Sequence, residues 1–240
     1  MLDLSSHAAV ITGATGNLGA AVLRAYLTHG TRVAAVVRDA AKGAALRSAL
    51  SDVAGDDVDP RLLVIEADPA DATTMDRLVE RVLRAWGRID ILNNLAGTFK
   101  GAPALDTGLM RELWDSNVLT AVTAAAACLR PMRARGYGRV VSVSAFGALK
   151  GGRNNAAYAM SKSALVRWTE SLAAEVKGEG ITVNAVLPTT IDHPVNRAQM
   201  PKADPKLWPS PEEVANVILF LSSREASGVN GAAIPITART

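Results

Sequence analysis

Tyr158 and Lys162 are separated by Ala159-Met160-Ser161. On a helix, that spacing sets a phenol and an ammonium on one face, a turn apart. A free tyrosine titrates near about 10, so alone it is a poor proton donor or acceptor at neutral pH. A cation beside it favours the phenolate and draws that value toward the working range of a general acid or base. The chemistry this implies is proton transfer to or from an oxygen atom. Tyr-x-x-x-Lys by itself is also common as an exposed helix pair, so its company in the chain matters. Far from it in sequence lies Thr12-Gly13-Ala14-Thr15-Gly16-Asn17-Leu18-Gly19, directly after an apolar run and before an amphipathic one. Glycines there allow a tight turn and close approach to a pyrophosphate, which helix N-terminal amides and dipole attract. Gly13, Thr15, Gly16, Asn17, Leu18 and Gly19 are therefore candidate cofactor-binding residues.

For these two features to meet, the fold must bring positions 12–19 and 158–162 to one edge. Short β-branched runs at 8–11, 32–37, 62–66, 89–93, 139–143, 182–187 and 232–236 read as strands. Between them lie helical patterns at 18–28, 42–51, 72–86, 109–133 (in one or two pieces), 158–177 and 211–221. The last has a clear start: Ser210 as cap, Pro211 at the first helical position and Glu213 closing a capping box. Alternation with nearly continuous apolar strands predicts an α/β fold. The expected architecture is a single doubly wound, Rossmann-type parallel sheet of about seven strands, with helices on both faces. One NAD(P)-binding domain over 1–240 is expected, and the irregular stretch 189–210 is a candidate substrate lid.

The end of the second strand reports on the adenine ribose. An acid there would take the 2′-hydroxyl, whereas an arginine suits a 2′-phosphate. The chain reads Val36-Val37-Arg38-Asp39, and Arg38 directly after the strand favours NADP(H). NAD(H) stays open through Asp39 if the strand runs further.

Taken with these, the motifs at Asp68, Asn94-Leu95-Ala96-Gly97, Asn117, Tyr158/Lys162 and Pro188 occur in an order that resembles the short-chain dehydrogenase/reductase family over essentially the whole length. The resemblance implies that Asp68 touches adenine, that Asn94, Leu95, Ala96 and Gly97 line the cofactor, and that Pro188 and Thr190 join its binding site. It further implies that Tyr158 delivers a proton, that Lys162 tunes Tyr158 and holds the ribose, and that Asn117 supports a helix kink and a proton relay. Two departures stand out. The glycines are spaced Gly13-x-x-Gly16-x-x-Gly19 rather than Gly-x-x-x-Gly-x-Gly, and the family's serine, thirteen residues before the tyrosine, is Ala145. Ser144 is adjacent, but successive strand residues face opposite sides, so it should point away unless the strand bulges. Losing a comparable oxyanion donor costs roughly 3–4 kcal/mol. The segments 145–158 and 190–204 resemble dihydropteridine reductases, which lack that serine, and whose conjugated acceptor spreads charge over a ring.

These readings point to hydride transfer from NAD(P)H to a carbonyl or quinonoid-dihydropteridine-like acceptor. The alternatives are a 3-oxoacyl or other small-ketone reductase and, in a different class, a catalytically weak NADP-binding sensor or scaffold. Ser144, Ala145 and His193 are candidate substrate-side residues. The composition fits: 49% hydrophobic, 20% charged and a net charge of +3 over 240 residues describe an ordinary globular chain. Its basic residues are scattered, so no nucleic-acid partner is expected. The longest apolar stretch, 119–129, is too short to span a bilayer, and no signal peptide is visible, so a cytoplasmic protein is expected. Cys128 is expected to be a small buried hydrophobe, and His7, His29 and His193 lack metal-ligand spacing. The expected partners are a small-molecule substrate and copies of the chain itself, in a homodimer or homotetramer packed through the Ala-rich helices.

Overall fold

The computed structural model describes residues 2–54 and 60–239. Seven strands form one sheet in the order β3-β2-β1-β4-β5-β6-β7. They are β1 (Ala8–Thr12), β2 (Arg32–Val37), β3 (Leu62–Glu66), β4 (Ile91–Asn94), β5 (Gly138–Val143), β6 (Ile181–Pro188) and β7 (Ala233–Ile236). Every neighbouring pair is parallel. The order reverses between β1 and β4, so the connections from these two strands leave in opposite directions and open a crevice above their C-terminal ends.

Both faces of the sheet are covered, which explains why its strands are apolar at nearly every position instead of alternating. In β2, Val33, Ala35 and Val37 pack on one face while Ala34 and Val36 pack on the other. The first face carries α1 (Gly19–Thr28), α2 (Ala40–Ala49) and α9 (Pro211–Leu221), with the short α3 (Ser51–Ala54) beside them. Leu23, Tyr26 and Leu27 of α1 meet Val214, Ile218 and Leu219 of α9 there. The second face carries α4 (Ala72–Trp86), α6 (Thr120–Arg135) and the C-terminal part of α7 (Ala156–Glu175). Met75, Leu78 and Val82 of α4 pack there with Cys128 and Met132 of α6. Each such side chain contributes about 1.5–3 kcal/mol on burial. Cys128 is buried, and desolvation pushes its thiol up to about 12, far from the thiolate that reacts or binds metal.

Local signals fix the element ends. Asp71 caps α4 by accepting from the Thr73 amide, and Gly87 ends it in the left-handed conformation. The predicted capping box of Ser210 and Glu213 is present, with Pro211 at the first helical position. The strand expected from residue 89 begins at Ile91. The buried Asp90 carboxylate takes the Ala8 amide at 2.8 Å and is gripped by both ends of the Arg88 guanidinium. The helical pattern over 109–133 is in two pieces, α5 (Thr107–Trp114) and α6, joined by a π turn at Asp115–Leu119. The stretch 189–210, expected to be irregular, contains α8 (Pro194–Gln199) and a 3₁₀ turn at Pro205–Leu207. His193 and Asp204 cap these, and such one-turn pieces have too few residues to show periodicity. Among the described residues, no helix is long and apolar enough to cross a membrane, and no group of His, Cys, Asp or Glu could hold a metal ion.

Gly19 tests the seat of α1 on the sheet. A methyl group there would collide with the main-chain carbonyl of Ala14. Gly19→Ala should lower stability by about 2–3 kcal/mol, the cost of overpacking against immovable backbone, seen as a reduced urea midpoint at unchanged slope.

Candidate active site

The crevice is floored by glycines whose hydrogen is needed. Gly13 has φ +65°, and a Cβ there would lie 2.5 Å from the Ala96 nitrogen. The first turn therefore rests directly on Asn94-Leu95-Ala96 at the end of β4. Thr12 ties the two together, its hydroxyl accepting from the Ala96 amide at 3.3 Å. Gly16 donates to the Gly13 carbonyl and Gly19 to that of Gly16, so the altered glycine spacing still folds into a compact turn. Thr15, Gly16 and Asn17 are exposed on it. Leu18 buries its side chain in the core, which leaves only its amide for a ligand. Leu18 also occupies the cap position of α1 and gives no side-chain cap, and the first turn of α1 carries no acid. Free amides at a helix start, above a cradle that a methyl group would fill, fit the pyrophosphate of a dinucleotide.

Flanking residues extend this site. Arg38 is exposed and makes no hydrogen bond or ion pair among the described residues. Asp39 is already engaged, its Oδ1 capping α2 by accepting from the amides of Ala41 (2.8 Å) and Lys42 (3.1 Å). Asp68 stands exposed beyond β3, its Oδ1 accepting from the Ala70 amide. Asn94 is buried, donating from Nδ2 to the Ser142 hydroxyl, while its Oδ1 has no partner.

Tyr158, Lys162 and Asn117 converge beside the cradle. Lys162 is 5% exposed, and its Nζ donates to the Val143 carbonyl at 2.9 Å and sits 5.9 Å from the centre of the Tyr158 ring. The π turn, which widens the helix by a residue, carries the buried Asn117. Asn117 accepts from the Thr98 amide at 2.7 Å and donates from Nδ2 to the Thr98 carbonyl and the Ser161 hydroxyl. Gly97 lies between them: a Cβ there would fall 2.6 Å from Asn117 Oδ1 and 3.3 Å from Lys162 Nζ, at φ +156°. Ser161 completes the group by donating to the Tyr158 carbonyl at 2.8 Å.

The electrostatics differ from the sequence expectation. Burial pushes the Tyr158 phenol up to about 12, and desolvation drives the Lys162 ammonium down to about 8. Enclosure here outweighs the help each charged form would give the other, because neither has a counter-charge in contact. Tyr158 is thus a neutral phenol at pH 7, holding a proton that it can give to an oxygen whose charge is rising. Phe99, missed in the sequence, packs edge-on against the Tyr158 ring at 4.9 Å between centroids. It lies in a loop, where periodicity carries no signal. Ser161 was legible in principle, as the polar residue three after Tyr158.

On the substrate side, Ser144 is corrected. β5 ends at Val143 in unbroken register with β6, and the next residue follows on: the Ser144 amide bonds the Val186 carbonyl, and its hydroxyl donates to the Lys162 carbonyl at 2.8 Å. Strand alternation therefore holds, and Ser144 does not replace the missing serine. Ala145 follows in extended conformation and opens a 3₁₀ turn, Phe146–Ala148. His193 spends Nδ1 on the Val195 amide, capping α8. Pro188 ends β6, and Thr190 lies half-buried just beyond it.

Comparison with known proteins bears on this arrangement. A family model described as short chain dehydrogenase matches residues 7–204. The chain belongs to the short-chain dehydrogenase family. It is similar to a D-threitol dehydrogenase of Mycolicibacterium smegmatis, 33% identical over 97% of this chain and 92% of that one. A 3-oxoacyl-(acyl-carrier-protein) reductase of Escherichia coli is 29% identical over 96% and 95%. The crystal structure of a levodione reductase superposes with a TM-score of 0.88, at 26% identity over 98% and 97% of the chains. As a short-chain dehydrogenase, the protein is an NAD(P)-dependent oxidoreductase.

The buried lysine of this short-chain dehydrogenase carries a stability cost. Its folded value of about 8 lies below the ordinary 10.5, so the unfolded chain binds the proton more readily. The charge therefore opposes folding below about pH 8, and the opposition fades as pH rises toward 10.5. Lys162→Met should raise the stability of the cofactor-free protein at pH 7 by on the order of 1–3 kcal/mol while abolishing turnover. Thermal melts at pH 7 and pH 10 should show the larger gain at the lower pH.

Proposed function

We propose that the protein reduces a small-molecule ketone, and oxidises the matching secondary alcohol, with NADP(H). The observation that carries this reading is the half-buried, proton-bearing Tyr158 beside Lys162, which meets Asn117 at Gly97 next to the glycine cradle. When bound, the nicotinamide supplies or accepts the hydride. The chain's own residues do the rest. Gly13, Gly16, Gly19 and the first amides of α1 hold the pyrophosphate, and Asn94 to Gly97, Pro188 and Thr190 wall the nicotinamide side. Asp68 meets the adenine. Tyr158 hands its proton to the substrate oxygen as charge builds there, and the Lys162 ammonium stabilises the phenolate left behind. Asn117 fixes the Thr98 backbone and Ser161, and so the position of the helix turn that bears Tyr158. The relatives named above act, by their names, on a polyol, a 3-oxoacyl group and a dione, each of which presents a carbinol or a carbonyl carbon.

NADP(H) is preferred over NAD(H) because Arg38 is free to form a charge-assisted pair with a 2′-phosphate, whereas Asp39 is committed to capping α2. Segment 189–210 closes over the substrate, with Val195, Met200 and Leu207 as its exposed apolar wall. Trp208 is its buried anchor. Trp114 and Met160 expose apolar surface on α5 and α7, the face through which a homodimer or homotetramer would pack. A second reading, a quinonoid-dihydropterin-like acceptor, is favoured by Ala145, since a ring-delocalised charge needs fewer donors on one oxygen, and by the resemblance of segments 145–158 and 190–204 to dihydropteridine reductases.

Tyr158→Phe should fold and bind NADPH but lose roughly 10²–10⁴-fold in kcat on ketones, and near-wild-type turnover would remove the mechanism. Reductive kcat/KM should fall as pH rises through about 8, where Lys162 loses its proton, while Tyr158 stays protonated. NADPH should bind more tightly than NADH, and Arg38→Gln should erase roughly 10–100-fold of that preference in fluorescence titrations. Equal affinities in the wild type would sink the cofactor assignment.

A further inference from the structure

The hydroxyls around Tyr158 are spoken for. Ser144 donates to the Lys162 carbonyl, Ser161 to that of Tyr158, and Ser163 to that of Ala148 at 2.6 Å. Ala145 carries no side-chain donor. Tyr158 is thereby left as the sole side-chain hydroxyl of this group able to reach a substrate oxygen, one hydrogen bond short of a clamp that is ordinarily worth several kcal/mol.

Asn155 stands three residues before Tyr158, a spacing that shares a helix face. It occupies the cap position of α7, where an asparagine would normally accept from the first-turn amides and stabilise the helix by about 1 kcal/mol. It makes no such bond. At the starts of α2, α4, α5, α8 and α9, the residue in that position does cap with its side chain. The Asn155 carboxamide makes no hydrogen bond with any described residue, although the residue is half-buried and Oδ1 is fully enclosed. Its Nδ2 lies 3.6 Å from where a Cβ would stand on Gly147, inside the 3₁₀ turn that Ala145 opens. An asparagine that forgoes its helix cap and bonds no described residue keeps both Nδ2 hydrogens unspent. The enclosed Oδ1 is an acceptor and cannot meet a ketone oxygen; Nδ2 is the group that can, and it lies beside the turn that lost its serine, three residues before Tyr158.

We propose that Asn155 is a catalytic residue, donating from Nδ2 the second hydrogen bond to the ketone oxygen that Tyr158 protonates. No proton leaves the amide; it stabilises charge on that oxygen while the phenol proton crosses. This rests on the ketone-reductase reading above and adds the residue through which an alanine at position 145 is tolerated.

The test is a double-mutant cycle in NADPH-saturated enzyme, using cyclohexanone, ethyl acetoacetate, acetoin and quinonoid dihydropterin as acceptors. Asn155→Ala should lower kcat/KM on the best ketone roughly 10²-fold. Asn155→Asp, which keeps the shape but offers only acceptors, should do no better. Ala145→Ser should restore at least about tenfold in the Asn155→Ala background and change the wild type less than about threefold, a non-additivity that marks a shared task. Melting temperature and NADPH affinity of Asn155→Ala should match or exceed those of the wild type, because the side chain holds nothing in the free protein; a drop in melting temperature would make its role structural and overturn the proposal. Wild-type turnover in Asn155→Ala, with Tyr158→Phe inactive, would overturn Asn155 alone. No turnover by the wild type on any acceptor would overturn the functional reading and Asn155 together.

Discussion

A lysine ammonium enclosed at the C-terminal edge of the sheet, bonded among the described residues only to the Val143 carbonyl, constrains much of what surrounds it. Burying a cation without a counter-charge is unfavourable, and its depressed pKa reports that directly. The surroundings are built to keep it there. Ser144 anchors the Lys162 main chain to the end of β5, and a side chain at Gly97 would run into Asn117 Oδ1 and crowd Lys162 Nζ. Asn117 reaches that point only because the helix widens by a residue at Asp115–Leu119. Sheet edge, glycine and helix irregularity thus answer to one buried charge.

The same constraint organises the nucleotide side. Gly13 touches the backbone of Leu95 and Ala96, two residues from Gly97, so the phosphate turn and the lysine pocket share one strand end. Such a juxtaposition arises where the strand order reverses, because only there do the chains leaving two neighbouring parallel strands part and expose their ends. A shift in either glycine contact would move the cradle relative to Tyr158, which explains why sterically intolerant positions concentrate along this seam.

Much of this was legible in the sequence because it depends on period and spacing. Apolar runs without alternation require a doubly covered sheet, and four-residue spacing sets Tyr158 and Lys162 on one face. Strand alternation turns Ser144 away from the cleft. What could not be read depends on enclosure or on single turns. The direction of the Tyr158 shift follows from burial, which has no sequence signature. Phe99 lies in a loop, α8 spans six residues, and an asparagine declining to cap its own helix looks in sequence like one that does. Asp39 gives the converse case: read as a possible ribose ligand, it is held by the start of α2, because an acid one residue before a helix meets free amides before it meets a cofactor.

The alanine at 145 shows how a missing group is to be weighed. One donor fewer on a ketone oxygen raises the barrier only if nothing else in the cleft can donate, and an acceptor that delocalises its charge avoids the demand altogether. The two explanations differ in what they require of the protein. Delocalisation asks nothing of neighbouring side chains, so an unpartnered amide beside the vacated position would have no task. Substitution by another donor requires such an amide, free of other partners and on the helix face of Tyr158. Under the proposal that donor is Asn155, whose Nδ2 bonds no described residue and lies beside the turn that follows Ala145, so the isolated ketone is the acceptor the proposal requires.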